Sequence, residues 1–248
     1  MRLRFLAFAF LCGSALAQTK APKGSPTPPP APTPLPSATP EATPSPTPNA
    51  TGPDANYVPE MAREAAADGR AAFARGDYNR ARKAYLKVLN LAPDNLLALI
   101  NIGVVEFSAG NHAEAEKYLK RAVQIRLDNP PAWLTLGIIA LDENRLDEAL
   151  AALTQATLYD PKNARAHAFL GVVVGKKGWI DGAQAELRKA VELAPDNADA
   201  NFNLAAFYLE SKPPAIELAR RHYYRAIELG ADPDPDIEKT LKESKSSE

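Results

Sequence analysis

The chain has 248 residues, 46% of them hydrophobic, and a formal net charge of −1. That balance excludes the strongly basic footprint needed for nucleic acid or an anionic lipid surface. Its single cysteine, Cys12, excludes a disulfide framework and any multi-cysteine metal site.

Residues 1–17 read as a secretory signal peptide. Arg2 and Arg4 make a positive start, residues 5–11 are unbroken apolar sequence, and Ala15-Leu16-Ala17 is a small-x-small cleavage site. Cleavage there leaves Gln18 first and removes Cys12, so the exported chain carries no thiol. The apolar run is shorter than the roughly 20 residues a spanning helix needs, and no integral membrane segment is expected. Ala9-Phe10-Leu11-Cys12 lacks both the upstream leucine and the small residue of a lipobox.

Residues 18–57 are a different material. Proline makes up a third of the segment, interleaved with Thr, Ala and Ser. With almost no large apolar side chains, it cannot offset its own ordering entropy. A disordered, polyproline-like linker is predicted, able to reach on the order of 90 Å over 30 residues. Asn49-Ala50-Thr51 forms a glycosylation sequon in it. Leaving out the charges that precede position 58 (Arg2, Arg4, Lys20, Lys23, Glu41 and Asp54) gives the rest a net charge of −3.

From position 58 the sequence repeats with a period of 34. Gly69, Gly103, Gly137 and Gly171 are in register, with Ala205 fifth; Ala81, Ala115, Ala149 and Ala183 form a second row; Pro93, Pro161 and Pro195 form a third, with Leu127 in the gap. Such a period marks a stack of helix–turn–helix units, each burying its apolar face against its neighbours. In the second unit the spacing predicts helices over 97–109 and 113–125, with Gly110-Asn111 as the turn. Gly76-Asp77, Glu143-Asn144 and Lys177-Gly178 are the matching turns, and Asp or Asn after each proline can cap the next helix.

These residues resemble the tetratricopeptide repeat (TPR) family, whose pattern is W-x₂-L-G-x₂-Y, then A-x₃-F, then P. The third unit matches most fully, with Trp133, Leu136, Gly137, Ala149, Leu153 and Pro161; the fourth has Leu170, Gly171, Ala183, Leu187 and Pro195. The second has Leu99, Ile102, Gly103, Ala115 and Leu119, and the first Gly69, Ala81, Tyr85 and Pro93, with Asp68 where an apolar residue belongs. The fifth slips by two residues across Ser211-Lys212-Pro213-Pro214. The expected fold is all-α: an α-solenoid of about five repeats (61–94, 95–128, 129–162, 163–196 and 197–231). A capping helix and tail follow over 232–248, where Ile237 and Leu241 lie one turn apart.

In TPR arrays the first helices line a concave surface where ligands bind. The resemblance places on it Ala66, Ile100, Leu134, Ala168 and Phe202; Arg70, Val104, Ile138, Val172 and Ala206; and Phe73, Phe107, Leu141, Gly175 and Leu209. Thirteen of these fifteen are apolar, which points to an amphipathic helix, an extended apolar peptide or a second copy of the array as ligand. The alternative is that Ile100, Phe107 and Leu134 only pack between first helices. A clamp for carboxylate tails needs Lys, Asn and Arg on this face, and only Asn101 and Asn203 could take part.

His112, His167 and His222 sit at different points of the repeat without metal-ligand spacing; His167 stands at the large apolar position and reads as a hydrogen-bonded core histidine. No phosphate loop, nucleophile elbow or dinucleotide fingerprint is present. No cofactor is expected. The function expected is a non-catalytic interaction scaffold or adaptor, exported to a bacterial periplasm or secreted, with a protein or peptide partner and possible self-association. The family resemblance adds assembly of envelope, pilus or secretion machinery. The competing expectation is a periplasmic chaperone or carrier for an apolar peptide or lipid-like ligand.

Overall fold

The computed structural model describes residues 58–243. The expected signal peptide, the Pro-rich segment and the tail from 244 lie outside the described residues. Within them there are eleven helices and no strand. Five pairs come first: α1 (Glu60–Ala74) with α2 (Tyr78–Leu91), α3 (Leu96–Ser108) with α4 (His112–Ile125), α5 (Pro130–Asp142) with α6 (Leu146–Tyr159), α7 (Ala164–Lys176) with α8 (Ile180–Leu193), and α9 (Ala198–Glu210) with α10 (Ile216–Glu228). The last, α11 (Pro235–Glu243), buries Ile237 and Leu241 as expected of a cap.

One local device closes the turn inside each of the first four pairs. Gly76, Gly110, Asn144 and Gly178 adopt left-handed φ values of 76°, 81°, 57° and 85°. The next residue then donates its N–H back into the helix: Asp77 to Ala72 O at 3.0 Å, Asn111 to Glu106 O at 2.8 Å, Arg145 to Ala140 O at 2.7 Å and Trp179 to Val174 O at 3.1 Å. This is the Schellman closure, which consumes carbonyls the helix end leaves unpaired. The fifth turn holds five residues rather than three. Ala215 N–H nevertheless reaches Tyr208 O at 2.9 Å, the carbonyl one repeat beyond that of Val174. The two-residue slip is therefore absorbed in the turn, and Ala219, Tyr223 and Ala226 resume the buried pattern.

Between pairs, asparagine starts the next helix. Asn95, Asn129, Asn163 and Asn197 accept from the N–H of Ala98, Ala132, Ala166 and Ala200 at 2.8, 3.3, 3.0 and 2.9 Å. The neighbouring aspartates do not take this role. Six residues before Trp133, His167 and Asn201 lies a turn carbonyl, and each side chain addresses it. Trp133 Nε1–H donates to Leu127 O (2.7 Å), Asn201 Nδ2–H to Pro195 O (3.3 Å), and His167 Nε2 lies 3.1 Å from Pro161 O. Three unlike residues share one task, and His167 is the hydrogen-bonded histidine expected; its Nδ1 is 2.7 Å from Glu186 Oε2.

The glycine row marks where the helices of a pair touch. A Cβ on Gly103, Gly137 or Gly171 would come 2.6, 2.5 or 2.7 Å from Cγ of Leu119, Leu153 or Leu187. Those leucines are fully buried, as are Ala115, Ala149 and Ala183. Neighbouring pairs are joined differently at each junction. Arg82 on α2 pairs with the buried Glu106 on α3, its Nη2–H donating to Oε2 at 2.7 Å. Glu116 on α4, one repeat on from Arg82, pairs with Arg145. Leu150 occupies that place on α6, and Lys177 reaches Asp147 at 2.5 Å across the same junction. Gln184 on α8 donates to Phe207 O at 2.9 Å.

Both ends of the stack are polar or covered. Asp68 stands where the later repeats bury Ile102, Leu136, Leu170 and Leu204. No described helix packs on that side of α1. Asp68 instead pairs with Arg80 at 2.6 Å, and the hydrogen bond from Arg80 holds its carboxyl below the usual value.

Candidate functional site

Contacts that skip an element recur on the first-helix side, between α3 and α5, α5 and α7, and α7 and α9. The array is drawn tighter along that side, which makes the first helices its inner layer. The expected ligand-binding stripe divides there into two parts. Leu134, Ile138, Leu141 and Val172 are buried, with Ile138 only 2% and Val172 1% exposed; Ala66 is buried as well. Phe73, Ile100, Val104, Phe107, Phe202 and Leu209 are half-buried, along with Ala168 and Ala206, and Arg70 is exposed. The division has a packing cause. α5 and α7 are each in close contact with the first helices on both sides, whereas α3 is so with α5 and α9 with α7, so the large side chains of α5 and α7 fill the gaps.

Several half-buried members are also partly committed. Phe73, Ile100 and Phe107 pack against the core of the first repeats, and the Phe107 ring stacks on His112 with centroids 5.6 Å apart. Phe202 lies 6.0 Å from the Tyr223 ring. Gly175 interrupts the row of Phe73, Phe107 and Leu141 because the Phe207 ring occupies the space its Cβ would need. Val104 on α3 and Leu209 on α9 are half-buried without such a contact, and Ile100, one turn before Val104, keeps part of its surface open despite its packing.

The inner face also carries polar residues outside the apolar rows. They fall six residues before the glycine row, two before it and five after it, on the same line as the residue just after it. On α7 this line is Arg165, Phe169, Val172 and Lys176; on α9 it is Asp199, Asn203, Ala206 and Glu210. Arg165 lies over the Phe169 ring at 5.5 Å. Arg165, Asp142, Asp199 and Glu210 all touch solvent, yet each is crowded enough to be desolvated. Burial pushes the carboxyls of Asp142, Asp199 and Glu210 up and pulls Arg165 down. Solvent contact together with desolvation is what a concave wall produces. Their distance from the glycine row, read along the 3.6-residue helix period, is the signal that finds them.

Among the described residues, no three His, Cys, Asp or Glu side chains gather as a metal ion would require. No described helix is long and apolar enough to cross a membrane.

The geometry of paired helices, small residues at the crossings and a left-handed turn in each of the first four units agrees with comparison to known families. One family pattern described as Tetratricopeptide repeat matches residues 106–172, and a second of the same description matches 67–130 and 175–234. The chain belongs to the tetratricopeptide repeat family.

Solved TPR structures share its fold. MamA is 26% identical with a TM-score of 0.59, over 68% of this chain and 92% of MamA. PilF of Pseudomonas aeruginosa is 19% identical with a TM-score of 0.64, over 70% of this chain and 78% of PilF. YrrB, a TPR protein described as having an unusual peptide-binding site, is 22% identical with a TM-score of 0.58, over 73% of this chain and 92% of YrrB. A search of curated proteins found no match. TPR arrays are in general interaction scaffolds, and this TPR array has the layered helices such a role uses.

Proposed function

We propose that this chain is an exported, non-catalytic scaffold of the cell envelope that holds an apolar segment of a partner protein on its first-helix face. The supporting observation is that Ile100 and Val104 stay half-exposed on an inner face whose central residues are packed. Apolar side chains left open within a concave wall suit an amphipathic helix or an extended peptide.

The test is cross-linking in cell envelopes with the full chain and with Ile100→Ser plus Val104→Ser. The variant is expected to lose the specific cross-linked partner while circular dichroism stays unchanged. A folded variant that retains its partner places the binding face elsewhere. Export is tested separately by N-terminal sequencing of the mature protein, expected to start at Gln18. A start at Met1, or lipid on Cys12, overturns the localisation.

A further inference from the structure

Helices that alternate in direction put every turn between pairs along one edge of the array and every turn inside a pair along the other. Five of the nine large apolar side chains left exposed among the described residues lie on the first of these edges. Leu91 closes α2 and Leu97 opens α3, Leu127 lies between α4 and α5, and Leu158 and Tyr159 close α6. The repeat itself does not require three of them. At the place of Leu97 the later repeats carry Pro131, Arg165 and Asp199; at the place of Leu127 the others carry proline; at the place of Leu158 they carry Asn90, Gln124 and Glu192. The turn after α8 instead exposes Glu192, Asp196 and Asp199. An exposed apolar edge confined to three successive turns marks an interface.

The two ends of this edge carry opposite charge. Asp94 is the charged residue of the first turn; its side chain is 73% exposed, and Arg121 engages only its Oδ1, at 2.7 Å. In the second turn Arg126 and Asp128 pair with each other at 3.5 Å. In the third turn Asp160 is taken up locally, accepting from the Lys162 backbone N–H at 3.3 Å and from Asn163 Nδ2–H at 3.2 Å. The Lys162 side chain is exposed and makes no ion pair among the described residues. The edge thus runs from anionic to cationic, with Leu127 at its middle.

We propose that two copies of this chain pair edge to edge through these three turns, antiparallel about a two-fold axis at Leu127. In a two-fold contact the same patch serves both copies. Turning the edge end for end lays Leu91 and Leu97 on the partner's Leu158 and Tyr159, and Asp94 on the partner's Lys162, each contact occurring twice. A parallel pairing would set like charges against each other at both ends, so charge selects the antiparallel one. First helices pack about 8–10 Å apart, so three turns on a layer two helices thick offer an edge of about 30 Å by 20 Å. That is about 600 Å² per copy, the lower end for a specific interface, and corresponds to a reversible dimer of modest affinity. The surface is separate from Ile100 and Val104, so the dimer leaves the first-helix face free.

Sedimentation equilibrium of the full chain at low ionic strength, from about 1 µM to 1 mM, tests it, and a monomer–dimer equilibrium is expected. Leu127→Glu brings two carboxylates together at the axis and should weaken the dimer about tenfold or more, with circular dichroism unchanged because the side chain is exposed. Asp94→Lys alone and Lys162→Asp alone should each weaken it about three- to tenfold, since a surface pair is worth little but occurs twice. The two together exchange the signs and should return the dimer to near its original strength. A monomer at every concentration overturns the proposal and leaves this edge to a different partner. A dimer that Leu127→Glu leaves unchanged, or that the exchanged pair fails to restore, overturns it as well. Should Leu127→Glu lose helical signal, Leu158→Glu takes its place with the same two outcomes. Ile100→Ser plus Val104→Ser should leave the dimer intact. Loss of the dimer in that variant moves self-association to the first-helix face and overturns this proposal.

Discussion

Arg82→Ala is expected to lose about 3 kcal/mol of unfolding free energy at neutral pH, because removing one partner of a buried ion pair strands the other. Glu106 is 3% exposed, and after this change only the Asn111 side chain, donating at 2.8 Å, supports its carboxylate. Urea unfolding followed by circular dichroism measures the loss. The hydrogen bonds from Arg82, then that from Asn111, hold the Glu106 carboxyl below its usual range despite burial. A depressed carboxyl contributes stability that is present above the ordinary glutamate value of about 4.3 and is lost as pH falls through the lowered folded value. Arg82→Ala should therefore flatten the acid side of the stability profile. The third junction supplies a control, since Leu150 and Val174 stand there at the positions of Arg82 and Glu106. Arg82→Leu together with Glu106→Val should lose far less than Arg82→Ala alone. An equal loss would show that the ion pair is not what matters at this junction.

The second large effect is expected at Ile138. Truncating a buried isoleucine costs about 2–5 kcal/mol, and Ile138→Asp adds an unpaired buried carboxylate to that loss. The central repeats should unfold, with helical signal falling by the share that α5 and its neighbours contribute. Val104→Asp, at the same place in the half-buried second repeat, should leave most of that signal in place. If Ile138→Asp remains fully helical, the centre of the stripe is open surface, contrary to its 2% exposure.

The contrast between Ile138 and Val104 shows where sequence reading stops. Helix pairs, turns and crossings were legible because each rests on a local requirement: glycine or asparagine for a left-handed turn, and no side chain where Leu153 crosses Gly137. The slip in the fifth repeat was legible for the same reason. Trp133 matches the tryptophan of the family pattern; it packs against the core half-buried, with its indole N–H donating to a turn carbonyl. Which apolar positions are open was not legible, since valine and isoleucine look alike as groove lining and as filler between first helices. Nothing in their residue type sets Asp142, Asp199 and Glu210 apart from ordinary helix-surface charges; their crowding follows from the placement of the helices. Arg82 and Glu106 lie 24 residues apart, with no periodic signal linking them, because every junction uses different chemistry.

The polar outer side of α1 and the covering of the far end by α11 also bear on how such a chain changes over generations. A unit added ahead of α1 would have to bury the Asp68–Arg80 pair, and a unit added after α10 would have to displace Ile237 and Leu241. Lengthening is open only in the interior. Even there, a duplicated unit inherits one half of a private junction, such as Glu116 without its Arg145, and has to evolve a new partner before it is as firmly held as its parents.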